Sequence, residues 1–277
     1  MLYILVLRVK PINTVRPDCM VLIMLQRKGG ELYTMSEVII GSVLSALSTG
    51  LGALIILFMH GSITHSWRDI LLAFTAGIMM AASMMGLIPE ALAAGGFLPL
   101  AAGVFLGVLS LTLLEKNIPH IDLQHSKKGL EFDEKAMLII AAITLHNIPE
   151  GLSVGVSYAS STEDTGNLIA FAIGLQNAPE GFLVALFLVN QKINKFKAFI
   201  IATLTGAIEI VTGLLGFYLT SFISILVPYG LAFAAGAMLF IIYKELIPES
   251  HGDGNERTAT YSFIIGLLFM IFLINIF

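Results

Sequence analysis

The chain has 277 residues, of which 57% are hydrophobic and only 12% charged, with a formal charge of -4 and a mean hydropathy of +0.89. A soluble domain carries about a quarter charged residues, so the composition excludes an ordinary globular protein and gives no case for nucleic acid. The one cysteine, Cys19, excludes an internal disulfide and a cysteine-cluster zinc site, and the length has room for about eight spanning helices of roughly 20–25 residues each.

Residues 1–35 do not match the rest of the chain. Met1 to Leu7 is apolar but too short to span, and Arg8, Lys10, Arg16, Arg27 and Lys28 interrupt the stretch after it. No small-residue cleavage site succeeds an apolar core, which argues against a secretory signal. The segment reads as a disordered extension, or as a start placed too far upstream, with residues 36–277 forming a single transmembrane domain.

The first span covers Ser36–Met59 and is rich in small residues, among them Gly41, Ser45, Ser48, Gly50 and Gly52. The second, Asp69–Ala94, carries Met79, Met80, Met84 and Met85 and then Pro89-Glu90; the third is Phe97–Leu114. The long loop Glu115–Glu134 holds His120, Asp122 and His125, which suit metal collection and plain solvation equally. Spans four and five hold His146-Asn147-Ile148-Pro149-Glu150-Gly151 and Gln176-Asn177-Ala178-Pro179-Glu180-Gly181, joined by a short loop with Glu163 and Asp164. Span six, Ala198–Ile223, has Glu209 near its middle. Span seven, Leu231–Glu249, carries Lys244 and Glu245 and then Pro248-Glu249, and span eight is Ala259–Phe277.

An internal repeat is legible. Ala73-Phe74-Thr75-Ala76-Gly77-Ile78-Met79 matches Ala232-Phe233-Ala234-Ala235-Gly236-Ala237-Met238, and Leu87-Ile88-Pro89-Glu90 matches Leu246-Ile247-Pro248-Glu249 at the same offset. Corresponding spans lie an odd number of spans apart, so the two units have opposite orientation, and inverted repeats with Pro-interrupted helices are a transporter signature. Loops after spans one, three, five and seven hold nearly all the Lys and Arg beyond the N-terminal stretch. The positive-inside rule puts those loops in the cytoplasm and both termini outside. The basic residues before span one run against this, and a start at Met35 removes the conflict. Small-residue faces on spans two and three suit a homodimer or internal packing.

The chemistry lies in the paired motifs. Imidazole, carboxamide and carboxylate groups are costly in hydrocarbon, so a purpose is expected. Positions i and i+4 share a helix face, which aligns His146 with Glu150 and Gln176 with Glu180. Pro149 and Pro179 each remove an N–H and free a carbonyl one turn earlier, those of Leu145 and Leu175. Asn and Gln alone would suit interhelical hydrogen bonding. Two Glu at one depth call for a cation or protons between them. Imidazole plus carboxylates suits zinc, iron, manganese or cobalt rather than calcium or magnesium. Glu209 is a third buried acid between Gly206 and Gly213; Glu245 beside Lys244 reads equally as an end-of-helix pair.

The chain resembles the ZIP (Zrt/Irt-like) divalent metal transporters, in their GufA-like prokaryotic branch, through the two motifs at 146–151 and 176–181, Glu209 and the Gly77–Ser83 stretch. The resemblance implies an all-α membrane protein of eight transmembrane helices in a 3+2+3 arrangement with an inverted repeat. It also implies a metal site between helices 4 and 5. By position, Met79, His146, Glu150, Gln176 and Glu180 match first-site ligands, and Asn147, Glu150, Glu180 and Glu209 match second-site ligands. Glu245 matches an exit-side relay. Asn177 stands where members with Asp have a bridging carboxylate, and Lys244 where His is often found. The implied activity is zinc uptake into the cytoplasm across the plasma membrane by alternating access, with Cd2+, Fe2+ and Mn2+ as further candidates and no cofactor. One helix group would rock against another along small residues such as Gly77, Gly155 and Gly174. The rivals are a passive divalent channel and an intramembrane metallohydrolase.

Overall fold

The computed structural model describes residues 26–28, 31–33, 35–59, 65–117, 132–160, 165–251 and 254–276. The expectations for His120, Asp122 and His125, for Glu163 and Asp164, and for residues 1–25 lie outside these. Among the described residues eight helices come in order: α1 (Met35–Phe58), α2 (His65–Gly95), α3 (Phe97–Asn117), α4 (Phe132–Tyr158), α5 (Thr165–Asn190), α6 (Lys195–Phe222), α7 (Leu226–His251) and α8 (Glu256–Ile276). Seven are long and apolar enough to cross a membrane; α4, of 27 residues, packs among them. The chain is therefore a multi-pass membrane protein.

The all-α expectation has one exception. Gln26–Lys28 (β1) and Glu31–Tyr33 (β2) pair antiparallel, with Arg27 opposite Leu32. The intervening Gly29-Gly30 is a dipeptide favoured in tight hairpin turns, and it is the sequence signal for this pairing.

Three helices are irregular where the sequence has a reason. In α2 the segment Ala82–Leu87 is π-helical, and Ile88 N–H donates to the Ser83 carbonyl, five residues back. In α7 the same happens over Ile242–Leu246, with Ile247 N–H on the Ile242 carbonyl. Pro89 and Pro248 lie two residues beyond these segments, and a proline ring cannot sit against the carbonyl four residues earlier; the turn widens to make room. The helix α6 breaks at Ala207, so Glu209 lies in the first turn of the segment Ile208–Phe222 rather than mid-helix. By contrast α4 and α5 run through Pro149 and Pro179 as unbroken helices. Span seven starts earlier than its sequence reading because Pro228 sits in the first turn, where no N–H is needed.

Packing divides the helices into two groups. The principal pairings are α1 with α5, α4 with α6, α2 with α8 and α3 with α7. Glycine makes each of these close. A Cβ on Gly77 would overlap the Phe263 carbonyl, and one on Gly266 the Phe74 carbonyl, where α2 crosses α8. Gly107 meets the Phe233 carbonyl and Gly236 the Val104 carbonyl, where α3 crosses α7. Gly52 and Gly181 do the same between α1 and α5, and Gly155 between α4 and α6. Without a hydrophobic drive inside lipid, such backbone-to-backbone approach is what holds spanning helices together. Across the boundary between the α1/α4/α5/α6 group and the α2/α3/α7/α8 group, the glycines that face over are Gly86 and Gly230. These meet side-chain carbons, of Ile169 and chiefly Val156 respectively. Gly77, Gly155 and Gly174, expected along a moving boundary, all pack inside a group.

The outer helices are α3 and α8, with 17% and 22% of their central residues buried, against 67% for α5. Their exposed Leu98, Phe105, Ile265 and Phe272 give them a lipid-facing surface. The centre of the molecule is thus α5 with α1 and α4 beside it.

Candidate metal centre

The paired motifs meet where α4 and α5 lie against α6. Glu150, Gln176 and Glu209 are fully buried, and Asn147 and Asn177 nearly so. Gln176 Nε2 donates to Glu150 Oε1 at 2.5 Å, joining the two motif helices. One residue along, Asn177 Nδ2 donates to Glu209 Oε1 and Oε2, both at 2.9 Å. Ser45 of α1 donates its hydroxyl to Glu209 Oε2 at 2.7 Å. His146 turns toward α7, with its Nε2 2.7 Å from Glu245 Oε2. Half-buried Glu180 stands one turn beyond Gln176 on α5, within electrostatic range of His146, Glu150, Glu209 and Glu245.

Six of the nine expected ligands are therefore joined as three hydrogen-bonded pairs rather than as one shell, with half-buried Glu180 and buried Asn147 on the same two motif helices. The shared face of His146 and Glu150 is split between Glu245 and Gln176. Met79 is buried in the apolar cluster with Val154, Ile173 and Met238. Lys244 lies over the Phe240 ring, 5.3 Å from its centre. Nothing in the sequence marks Ser45 as a site residue, because a serine in a small-residue span reads as packing; only tertiary contact shows it on a carboxylate.

The donor set fits a cation if the amides take part. Among the described residues no three His, Cys, Asp or Glu side chains converge tightly enough to hold an ion by themselves. Yet Glu150 Oε2, Gln176 Oε1 and Asn177 Oδ1 are buried oxygens with no donor. Buried acceptors are nearly always satisfied, and three left open within one cluster of carboxylates and amides match the needs of a dehydrated cation.

A bundle of spanning helices with buried, unsatisfied acidic and amide oxygens at its centre defines a membrane protein that handles cations. The sequence profile of the ZIP zinc transporters matches residues 115–274. The zinc transporter ZIPB of Bordetella bronchiseptica is 35% identical over 249 residues, covering 85% of this chain and 79% of that protein. The zinc transporter GufA of Myxococcus xanthus is 43% identical over 176 residues, 62% of this chain and 68% of that one. The zinc transporter ZupT of Streptococcus mutans is 32% identical over 250 residues, 83% of this chain and 93% of that one. The chain belongs to the ZIP zinc transporter family. It is a transporter of that family and not an enzyme, so the hydrolase reading falls.

Proposed function

We propose that the protein takes up zinc, and with it similar ions such as Cd2+, Fe2+ and Mn2+, into the cytoplasm by alternating access through the α4–α5 centre. The carrying observation is the set of donor-free buried oxygens on Glu150, Gln176 and Asn177. The ion sheds water to Glu150, Gln176 and Glu180, and His146 joins them by leaving Glu245; Met79 takes part only if α2 brings its thioether in. The adjacent polar layer of Asn147, Asn177 and Glu209 lines the same centre, and Glu245 relays the ion toward its cytoplasmic exit. Carboxylates offset the cost of dehydrating a divalent ion.

An inverted 3+2+3 repeat supports alternating access. The two crossings recur at one offset, since Gly77 and Phe263 correspond to Gly236 and Val104, and Gly107 and Phe233 to Gly266 and Phe74. Both π-helical segments precede the repeated Pro-Glu. The α1/α4/α5/α6 group moves against the α2/α3/α7/α8 group, because the glycines within groups lie against facing backbones whereas Gly86 and Gly230, which face across, lie against side chains. The ends of the bundle where α1 meets α2, α3 meets α4, α5 meets α6 and α7 meets α8 carry Arg68, Lys127 and Lys128, Lys192 and Lys195, and Arg257, and face the cytoplasm of a plasma-membrane protein. Gly77 and Gly107 of α2 and α3 pack internally, so a homodimer has to use other surface.

The test is uptake into proteoliposomes, with zinc, cadmium, iron(II), manganese and magnesium compared for the unchanged protein, Glu150→Ala and Glu180→Ala. Zinc or cadmium uptake that both substitutions abolish is expected. A folded protein that moves none of these ions overturns the reading, and measurable conductance favours a channel over a carrier.

A further inference from the structure

Resting on that centre, we infer that it holds a single divalent ion, because Asn177 and Ser45 close the Glu209 side of it: Ser45 is a positioning residue and Glu209 is not an ion ligand. The nitrogen end of the Asn177 side chain is fixed by its neighbours. Its Nδ2 donates to both Glu209 oxygens at 2.9 Å and lies 3.2 Å from the Ser45 carbonyl. These neighbours are all acceptors, so the nitrogen is the end that faces them. Turning the amide over would set Oδ1 against a carboxylate and a carbonyl at once. The Ser45 hydroxyl adds a further donor to Glu209 Oε2. Glu209 therefore has both oxygens engaged by neutral N–H and O–H groups from α1 and α5, in a pocket with no solvent exposure.

A second ion at Glu209 competes with these donors for the carboxylate lone pairs. It would have to strip Asn177 and Ser45 from the carboxylate and strand the amide N–H groups beside the ion. The amide N–H does for Glu209 what a cation would do. An aspartate at 177 has no such donor; two carboxylates would then face each other, and a cation between them becomes favourable. The Oδ1 of Asn177, buried without a donor, is left to the first ion as a neutral oxygen.

The experiment counts ions rather than transport. The full chain in nanodiscs is equilibrated with Cd2+ and the bound metal per chain is measured by mass spectrometry of the dialysed sample. The unchanged protein is expected to retain a single Cd2+, lost in Glu150→Ala. Asn177→Asp is expected to gain a second. Glu209→Gln, whose Oε1 can still accept from Asn177 while its Nε2 donates to the Ser45 hydroxyl oxygen, is expected to keep the single ion with affinity changed less than about threefold. Two ions in the unchanged protein overturn the inference while leaving the transport site standing, and so does loss of the ion in Glu209→Gln. A count that stays at one in a folded Asn177→Asp overturns the role given to Asn177. No ion in the unchanged protein brings down the site itself, and the inference with it.

Discussion

The contact between His146 and Glu245 joins the two helix groups, and removing it should loosen the boundary. The pair is 2.7 Å apart with side-chain exposures of 14% and 23%. That places it between an exposed pair, worth at most about 1 kcal/mol, and a buried one, whose breaking costs about 3–5 kcal/mol. A charge-assisted hydrogen bond of this kind contributes about 1.5–3 kcal/mol, which is roughly a 10- to 150-fold change in an equilibrium. Glu245→Ala should therefore raise the population of a separated boundary by about that factor. The readout is maleimide labelling of Ile169→Cys, in a background where Cys19 is replaced. Ile169 has no solvent exposure, and its side chain lies against Gly86 across the boundary. Labelling in membrane vesicles should speed up by about 10-fold or more in Glu245→Ala, as expected for a shifted equilibrium. An unchanged rate, with folding intact, would show that the pair does not hold the groups together.

Three further predictions concern stability. Gly77→Ala and Gly107→Ala drive a Cβ into a facing backbone, so each should lower stability by about 1–3 kcal/mol despite the better helix propensity of Ala. Gly174→Ala meets only the Ser48 hydroxyl at 3.1 Å and ordinary contacts beyond it; thermal unfolding in detergent should find it within about 0.5 kcal/mol of the parent. Asp69 is fully buried, accepts from Arg68 at 3.2 Å and from Asn255 at 2.9 Å, and so ties the start of α8 to α2. Asp69→Ala should cost about 3–5 kcal/mol, visible as a lowered melting temperature, and an unshifted transition would show that this buried pair contributes nothing.

The spans were legible because hydrocarbon demands long apolar helices, and the two acidic motifs because a carboxylate among such residues is conspicuous. His146, Glu150, Gln176 and Glu180 could be placed near one another from spacing alone. The pairing among them could not. Periodicity puts His146 and Glu150 on one face, yet α7 and α5 each claim one of them, and that choice is made by tertiary packing. The break at Ala207 was hidden because nothing in Thr205-Gly206-Ala207-Ile208 forbids a helix; it becomes visible only where Gly206 backs onto the Ala46 carbonyl and Thr49. Ser45 was invisible for the same reason, since a hydroxyl in a small-residue span has no partner until α1 is placed. The π-helical turns, by contrast, come from prolines that were in plain view.

The division of the helices also bears on what limits turnover. Of the residues that gather at the centre, Ser45, His146, Asn147, Glu150, Gln176, Asn177, Glu180 and Glu209 all stand on α1, α4, α5 and α6, and only Glu245 comes from the other group. In the alternating-access cycle proposed above, a cargo seated there would keep its coordination sphere while the boundary shears. Dehydration is then confined to loading and unloading, and the crossing step becomes a matter of interdigitated side chains sliding past one another in lipid. Its speed should track bilayer thickness and fluidity more closely than the hydration energy of the ion carried, so that two metals of unlike hydration, once bound, would cross at similar rates.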